Sequence, residues 1–521
     1  MATRTRSPLK LKTYNEQLER FQSQLMEAYY RQLAGLDLQL GLPAIYAEHA
    51  GLFSRQAIDE LRSLADAGDG RTDEPRELLR FAIGEYLAAA AAELTERVEA
   101  AESEAVIVWR GERIPYRQVW NRAADISNRT ERNALVASYF EAVEAINPIR
   151  EERQATMRAA AAELGFADIP EMVASTGGFD PDALAAEMRA FLADSETVYF
   201  AALRRNLAEI DIEQGDASAI DLAHVIRGAQ WDRWFDAARM VWALRETLGG
   251  MGIDLDSQSC IMLDLEQRPR KSPRAFCAPV KMATDVRLVV QPRGGWDDYA
   301  ALLHEAGHAE HFATVPADLP VTRSRLGDNS LTEGYGALFE RLVGEPAWLR
   351  GVIGMPESDA RAFADFSAFW YLHLLRVIAA HLIYELYLHR TDDVALARAQ
   401  YAGMLSLTVG VRYDPAIYLA HVDDGLYVGR YIRSTMTEGS LSAWLRANHG
   451  EAWWTSPAAG AALRDLWSKG QPWDVRDVVA QLGYDRLDWR PVLRQIRTLL
   501  IGEMSGYGGP NITTRAGTRK V

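Results

Sequence analysis

Three of the ten histidines of this 521-residue chain crowd into LLHEAGHAEHF, Leu302 to Phe312. His304, Glu305 and His308 are spaced there as HExxH. On a helix, residues four apart share one face about a turn from each other. His304 and His308 can therefore offer two imidazoles to a single metal ion, at bonds of about 2.0–2.1 Å. Glu305 then stands beside the ion rather than on it. From there a carboxylate can take a proton from a water and hand it to a departing amine. The chemistry so spelled is metal-assisted hydrolysis of an amide.

A third protein ligand has to come from elsewhere. The continuation HExxHxxGxxH is ruled out, because position 311 is His and position 314 is Thr. His311 shares the face of His308, but three ligands from one short helix would strain a tetrahedral site. It reads better as a packing residue or as support for a ligand. The stronger donor is Glu333, in SLTEGYGALFE; Asp328, in the preceding loop, is the weaker one. Glu340, seven residues after Glu333, faces the same way and can accept a hydrogen bond from a ligating histidine. Ser330 and Glu333 also spell a capping box, a structural role that ligation does not exclude.

These side chains need a scaffold, and the chain is long enough for several core-forming units or one large two-lobed helical domain. Its 48% hydrophobic and 25% charged residues exclude wholesale disorder. A net charge of −15 argues against a nucleic-acid partner. Two cysteines, Cys260 and Cys277, exclude a disulfide framework and a cysteine zinc finger. No apolar segment follows the basic MATRTRSPLKLK, and no run reaches the roughly 20 apolar residues a bilayer span needs. The expectation is a cytoplasmic protein without a membrane partner.

Apolar residues at three- and four-residue spacing predict helices over 74–102, 131–146, 150–164, 180–192 and 231–248. AVIVWRGERIPY, Ala105 to Tyr116, reads as a short hairpin. The texture changes near Gly252. SCIMLDLEQ, RAFCAPV and DVRLVVQ then read as a small sheet of about three strands. Gly294-Gly295 ends it, and WDDYAALLHEAGHAEHFA resumes as helix. A loop of about sixteen residues separates this from the Glu333 helix, and helices continue to about residue 502. The division expected is a helical N-terminal lobe (1–250), a metal-binding region (251–502) and a flexible Gly-rich tail (503–521).

HEAGHAEH resembles the HExGHxxH of the thimet oligopeptidase and oligoendopeptidase F family, zinc peptidases whose third ligand is a glutamate on the next helix. Glu333 and Glu340 match that glutamate and a second one seven residues beyond it. DLEQRPRKSPRAFCAP, Asp264 to Pro279, is similar to the family's strand segment with its Lys-containing loop. HVDDGLYVGRY, from His421, is similar to its late His-and-Tyr segment. The resemblance covers roughly 253–440. It implies a mainly α, two-lobed, zincin-like metallopeptidase with a small sheet beside the HExxH helix and a deep central channel. It also implies one zinc ion per chain on His304, His308 and Glu333, with Glu305 as the proton shuttle. Tyr431 and His421 are implied as donors to the tetrahedral intermediate; Tyr427 is a second candidate for either task.

Asp424 departs from that pattern where many members carry a substrate-contacting tyrosine, and Arg270 and Arg274 replace glycines usual around Lys271. No lysine near His421 offers a grip for a C-terminal carboxylate. Cleavage of internal bonds in short unfolded peptides is therefore expected. The alternatives are a zinc-containing peptide-binding protein without turnover, or a carboxypeptidase-like exopeptidase.

Overall fold

The computed structural model describes residues 9–67 and 74–501; the expected flexible tail lies outside the described residues. Helices dominate, as the apolar spacing predicts. Their bounds differ from the expectation in several places; the helix expected over 180–192 runs on as Pro181–Ala208.

The stretch from Glu74 is two helices, Glu74–Ala90 and Ala92–Glu104, parted at Ala91, whose ψ of 2° is not helical. Conversely, Arg129–Glu163 is one helix of 35 residues that runs through Pro148. A proline costs an interior hydrogen bond. Beside it the Asn147 side chain donates to the Ala416 carbonyl at 2.8 Å, and Arg150 donates to Asn147 at 3.0 Å, tying this turn of the helix to a distant segment. From Trp231 the chain forms two short 3₁₀ turns and becomes α-helical only at Met240. Asp236 accepts from the Ala238 amide at 2.9 Å, a local bond that holds the backbone in a turn. The loop expected before the Glu333 helix contains one helical turn, Val321–Ser324.

Strands β1 (Val106–Trp109) and β2 (Glu112–Pro115) make the hairpin read from the sequence. Its two-residue turn, Arg110-Gly111, has φ of 51° and 84°. Positive φ at both positions matches the right-handed twist of the strands. The second sheet holds β3 (Ile261–Asp264), β4 (Phe276–Lys281) and β5 (Asp285–Val289) in the order β3–β5–β4. β5 is parallel to β3 and antiparallel to β4, which leaves β4 at the edge beside the HExxH helix. The N-terminal helix Leu11–Leu33 and the turn after it press Tyr30 and Ala34 onto Ala278 and Val289 of this sheet.

Two large hydrophobic cores result. One surrounds the HExxH helix and includes Leu302, Leu303, Ala306, Tyr335, Trp453 and Trp467. The other joins the N-terminal helices to residues 368–436 and the last helix. The helix Glu357–Leu388 enters both, with Phe363 and Phe366 in the first and Phe369 and Leu372 in the second. This corrects the expectation that no segment is long and apolar enough to cross a bilayer, because this helix is so by length and composition. However, 67% of its most apolar stretch is buried inside the protein. Serving two cores, it has to be apolar on most sides.

Candidate metal centre

The helix Trp296–Thr314 carries HExxH, and Asn329–Glu340 carries Glu333 and Glu340. Two glycines set how closely these helices approach. A Cβ on Gly307 would lie 2.5 Å from the Tyr335 carbonyl oxygen. One on Gly336 would lie 2.8 Å from Nε2 of His304. Only hydrogen at both positions lets the glutamate helix come near enough for its carboxylates to reach the histidines.

They do reach. Nε2 of His304 and Nε2 of His308 are 3.1 Å apart, and Oε2 of Glu333 lies 3.5 and 3.7 Å from them. The three donor atoms form the metal-ligand group found among the described residues. A tetrahedral ion bonded at about 2.05 Å separates its ligand atoms by about 3.3 Å. The observed spacings bracket that value, and the donor set of two imidazoles and one carboxylate suits zinc.

The ring edges behind the donors are also committed. Nδ1 of His304 pairs with Oε2 of Glu340 at 2.8 Å, and Nδ1 of His308 with the Thr332 hydroxyl at 2.9 Å. If each Nδ1 carries the proton, both Nε2 lone pairs turn toward the shared point. Thr332 also meets Nδ1 of His311 at 3.3 Å. Its oxygen can accept from His308 while its O–H donates to His311. His311 is fully buried and pushed down to about 3 by burial and by His308, so it is neutral. Its place is behind the ligands, not among them.

Glu333 is held on its other side, because the Tyr427 hydroxyl donates to Oε1 at 2.9 Å. That occupies the hydroxyl that sequence reasoning had offered to substrate. Burial would raise the Glu333 pKa, but hydrogen bonds to His304 and His308 outweigh it and hold the carboxyl well below the usual range. His304 shows the converse. Burial opposes its charge, yet Glu333 and Glu340 push its basicity well above the ordinary. The pocket thus stabilises positive charge at the point where the donors meet. The capping alternative for Glu333 is not what forms. Asp328 is the N-cap, accepting from the Ser330 amide at 3.0 Å.

Glu305 is half-buried between this centre and β4. Burial raises its pKa, while His308 and His304 oppose the rise, as does a hydrogen bond from the Cys277 amide on β4. A carboxylate so balanced can both accept and return a proton. Tyr431, on the helix Val428–His449, is 37% exposed; its ring meets that of Tyr427 at 5.0 Å. Burial and the charges of Glu333 and Asp423 raise its pKa, so it remains a donor. His421 keeps an exposed ring edge, 6.5 Å from the ring of His381, yet is crowded by protein on its other sides; that desolvation, with Arg274 and Arg150, lowers it to about 4. It is neutral near pH 7. Asp424, which departs from the family pattern, is gripped by both terminal nitrogens of Arg153 at 2.9 and 2.5 Å.

Lys271 lies elsewhere. Its side chain is fully buried, with Nζ donating to Asp264 Oδ1 and to the carbonyls of Asp264, Glu266 and Val290 at 2.8–3.0 Å. It staples its loop to the sheet. Thr332 is the site residue that sequence reasoning missed, since a threonine beside a ligand has no spacing signal of its own.

No family model matches the chain, and no curated protein matches it. Solved structures do. One from Bacillus anthracis strain Ames, named as an oligoendopeptidase F, superposes with a TM-score of 0.65 at 15% identity, over 96% of this chain and 98% of that one. PZ peptidase A, solved with an inhibitor, gives 0.62 at 14%, over 96% and 99%. The metallocarboxypeptidase 1 of Trypanosoma cruzi gives 0.56 at 14%, over 94% and 100%. The mainly helical, zincin-like fold shared by oligoendopeptidase F and its carboxypeptidase neighbours is the fold of this chain.

Proposed function

We propose that the protein is a zinc peptidase that hydrolyses short unfolded peptides. The observation that carries this reading is the meeting of three donor atoms within 3.7 Å of one another, with Glu305 beside them. The geometric neighbours named as oligoendopeptidase and carboxypeptidase support it. His304, His308 and Glu333 would hold one zinc ion. When bound, zinc supplies a Lewis acid that makes water a nucleophile near neutral pH and polarises a carbonyl.

The remaining work falls to the chain's own side chains. Glu305 accepts the proton of the attacking water and delivers it to the departing amine nitrogen. Glu340 and Thr332 hold the two imidazoles in the tautomer that ligation needs. Tyr427 fixes the rotation of the Glu333 carboxylate. Tyr431 and neutral His421 donate to the oxygen on which negative charge develops, a contribution of a few kcal/mol for a well-aimed donor.

Incubating pure protein with a mixed peptide pool and reading the products by mass spectrometry tests this. Cleavage by the wild type is expected to vanish in Glu305→Gln while one zinc per chain remains in both. If both proteins carry zinc and neither cuts any peptide, the peptidase reading is wrong, and a zinc-stabilised peptide-binding protein takes its place.

A further inference from the structure

A surface helix ordinarily turns an apolar stripe to the core and a polar, charged face to water. The helix Val394–Val409 departs from this. Ala397, Tyr401, Leu405 and Val409, at four-residue steps, form its buried side against Glu357–Leu388, where the Tyr401 ring meets that of Tyr384 at 5.1 Å. The opposite side presents Leu396, Ala399, Gln400, Gly403 and Leu407, without a charge. Leu407 is 81% exposed, more than any other large apolar residue among those described, and Leu396 is 44% exposed. Arg398, the single charged side chain within the helix, is turned aside onto Glu144 and the ring of Tyr418.

Gly403 stands in the middle of this face. Glycine weakens a helix interior, and nothing in the chain asks for it here. A Cβ at this position would meet no atom within 4 Å. A missing side chain at the centre of an exposed apolar face lets a second helix bring its backbone close.

The face is also arranged symmetrically. Leu396 and Leu407 are equally far from a point between Tyr401 and Ala402, and so are Gln400 and Gly403. Beyond the two ends, Asp392 and Arg412 keep the same symmetry to within one residue. Asp392 is fully exposed, with Arg158 no nearer than 3.9 Å. Arg412 is exposed, and among the described residues its guanidinium forms no ion pair within 4.0 Å. Two such helices laid antiparallel across a two-fold axis through that point set Leu396 of each copy against Leu407 of the other. Gly403 then faces Gln400, and Asp392 approaches Arg412 of the other copy. A parallel pair would instead bring like charges together at both ends.

We propose that this face is the interface of a homodimer, in which two copies pack the helix Val394–Val409 antiparallel and pair Asp392 with Arg412 across the axis. An isologous contact of this kind closes after two copies, because each presents the same self-complementary patch. The charge pattern favours a second copy over a lipid surface. A helix that lies on a membrane carries Lys or Arg beside its apolar face, whereas Arg398 is spent on Glu144. The helix has 16 residues and is about 24 Å long. One such face is smaller than the roughly 800 Å² that each partner of a standard interface buries. A dissociation constant on the order of 10 μM is therefore expected.

Sedimentation velocity of the full chain from about 1 to about 100 μM tests this. The wild type is expected to pass from monomer to dimer across that range. Leu407→Glu changes a side chain that the fold leaves almost free, so the far-ultraviolet circular dichroism should be unchanged while the dissociation constant rises at least about tenfold. Asp392→Arg and Arg412→Asp are each expected to weaken the dimer, and the two together in one chain to restore it. A monomer at every concentration, a dimer unmoved by Leu407→Glu, or charge reversals without mutual rescue would overturn the proposal. Binding of a monomeric wild type to phosphatidylcholine vesicles, abolished by Leu407→Glu, would also overturn it and assign the face to a lipid surface.

Discussion

At the scale of single residues, the metal centre depends on what stands behind the ligands as much as on the ligands. Thr332 is the clearest case, because one hydroxyl serves the imidazoles of both His308 and His311. Valine has the same shape without the hydroxyl, and would leave Nδ1 of His308 unpaired in a buried place. Thr332→Val is expected to weaken zinc binding by about 10–100-fold, the usual effect of losing such a partner. Thr332→Ser should retain most of the affinity. Competition against a chromophoric chelator measures both, and an unchanged affinity in the valine variant would show that Thr332 does not orient the ring. His304, His308, Glu333 and Glu340 were legible because one helical period places each pair. Thr332 was not, since its partners lie 24 and 21 residues away on another helix.

Between elements, the main question is what fixes the glutamate helix against the tyrosine helix, Val428–His449. Asp328 does much of this. Fully buried, it accepts from Arg430 at 2.6 Å, Arg433 at 2.7 Å and the Val475 amide at 3.0 Å, besides capping its own helix. Arg433 in turn reaches Asp474 at 2.9 Å. Burial works against the charge on Asp328, but Arg430 and Arg433 hold its carboxyl well below the usual range. Asp328→Asn would keep the cap and leave the buried Arg433 and the partly buried Arg430 short of charge. A cost of about 3–5 kcal/mol in urea unfolding at pH 7 is expected. A loss below about 1 kcal/mol would mean that the arginines find water or other partners. In the sequence Asp328 read as a weak ligand candidate. Its actual partners are about 100 residues away, beyond the reach of any local pattern.

Across the whole molecule, the long helix Glu357–Leu388 and the tyrosine helix pack together, and Glu438 is buried with 2% exposure on the latter. Burial raises its pKa to about 7, against the opposing pull of Arg341 and Arg446. The folded state therefore holds this proton more tightly than the unfolded chain, whose glutamate titrates near 4.5. The contribution is fully present below about pH 4.5, fades as pH rises, and is lost above about pH 7. Glu438→Gln carries no such titration. It should be more stable than the wild type at pH 8, by on the order of 3 kcal/mol, with the difference shrinking toward pH 5. Urea midpoints at the two pH values decide it, and a pH-independent difference would place the ionised form comfortably in the fold.

What the sequence determined by itself is what short-range geometry dictates. HExxH on a helix, a carboxylate one helix later, a hairpin around Arg110-Gly111 and a three-strand sheet all follow from periods of 3.6 or 2 and from turn chemistry. The continuity of helix 129–163 through Pro148 was beyond such rules, and Asn147 beside it finds its partner in Ala416, 269 residues away. Tertiary structure alone placed Tyr427 on Glu333 and turned Lys271 inward as a staple. Hydrogen bonds and charges act over a few ångströms whatever the separation in sequence. Their partners exist only once the cores around the HExxH helix and the N-terminal helices have brought distant segments into contact.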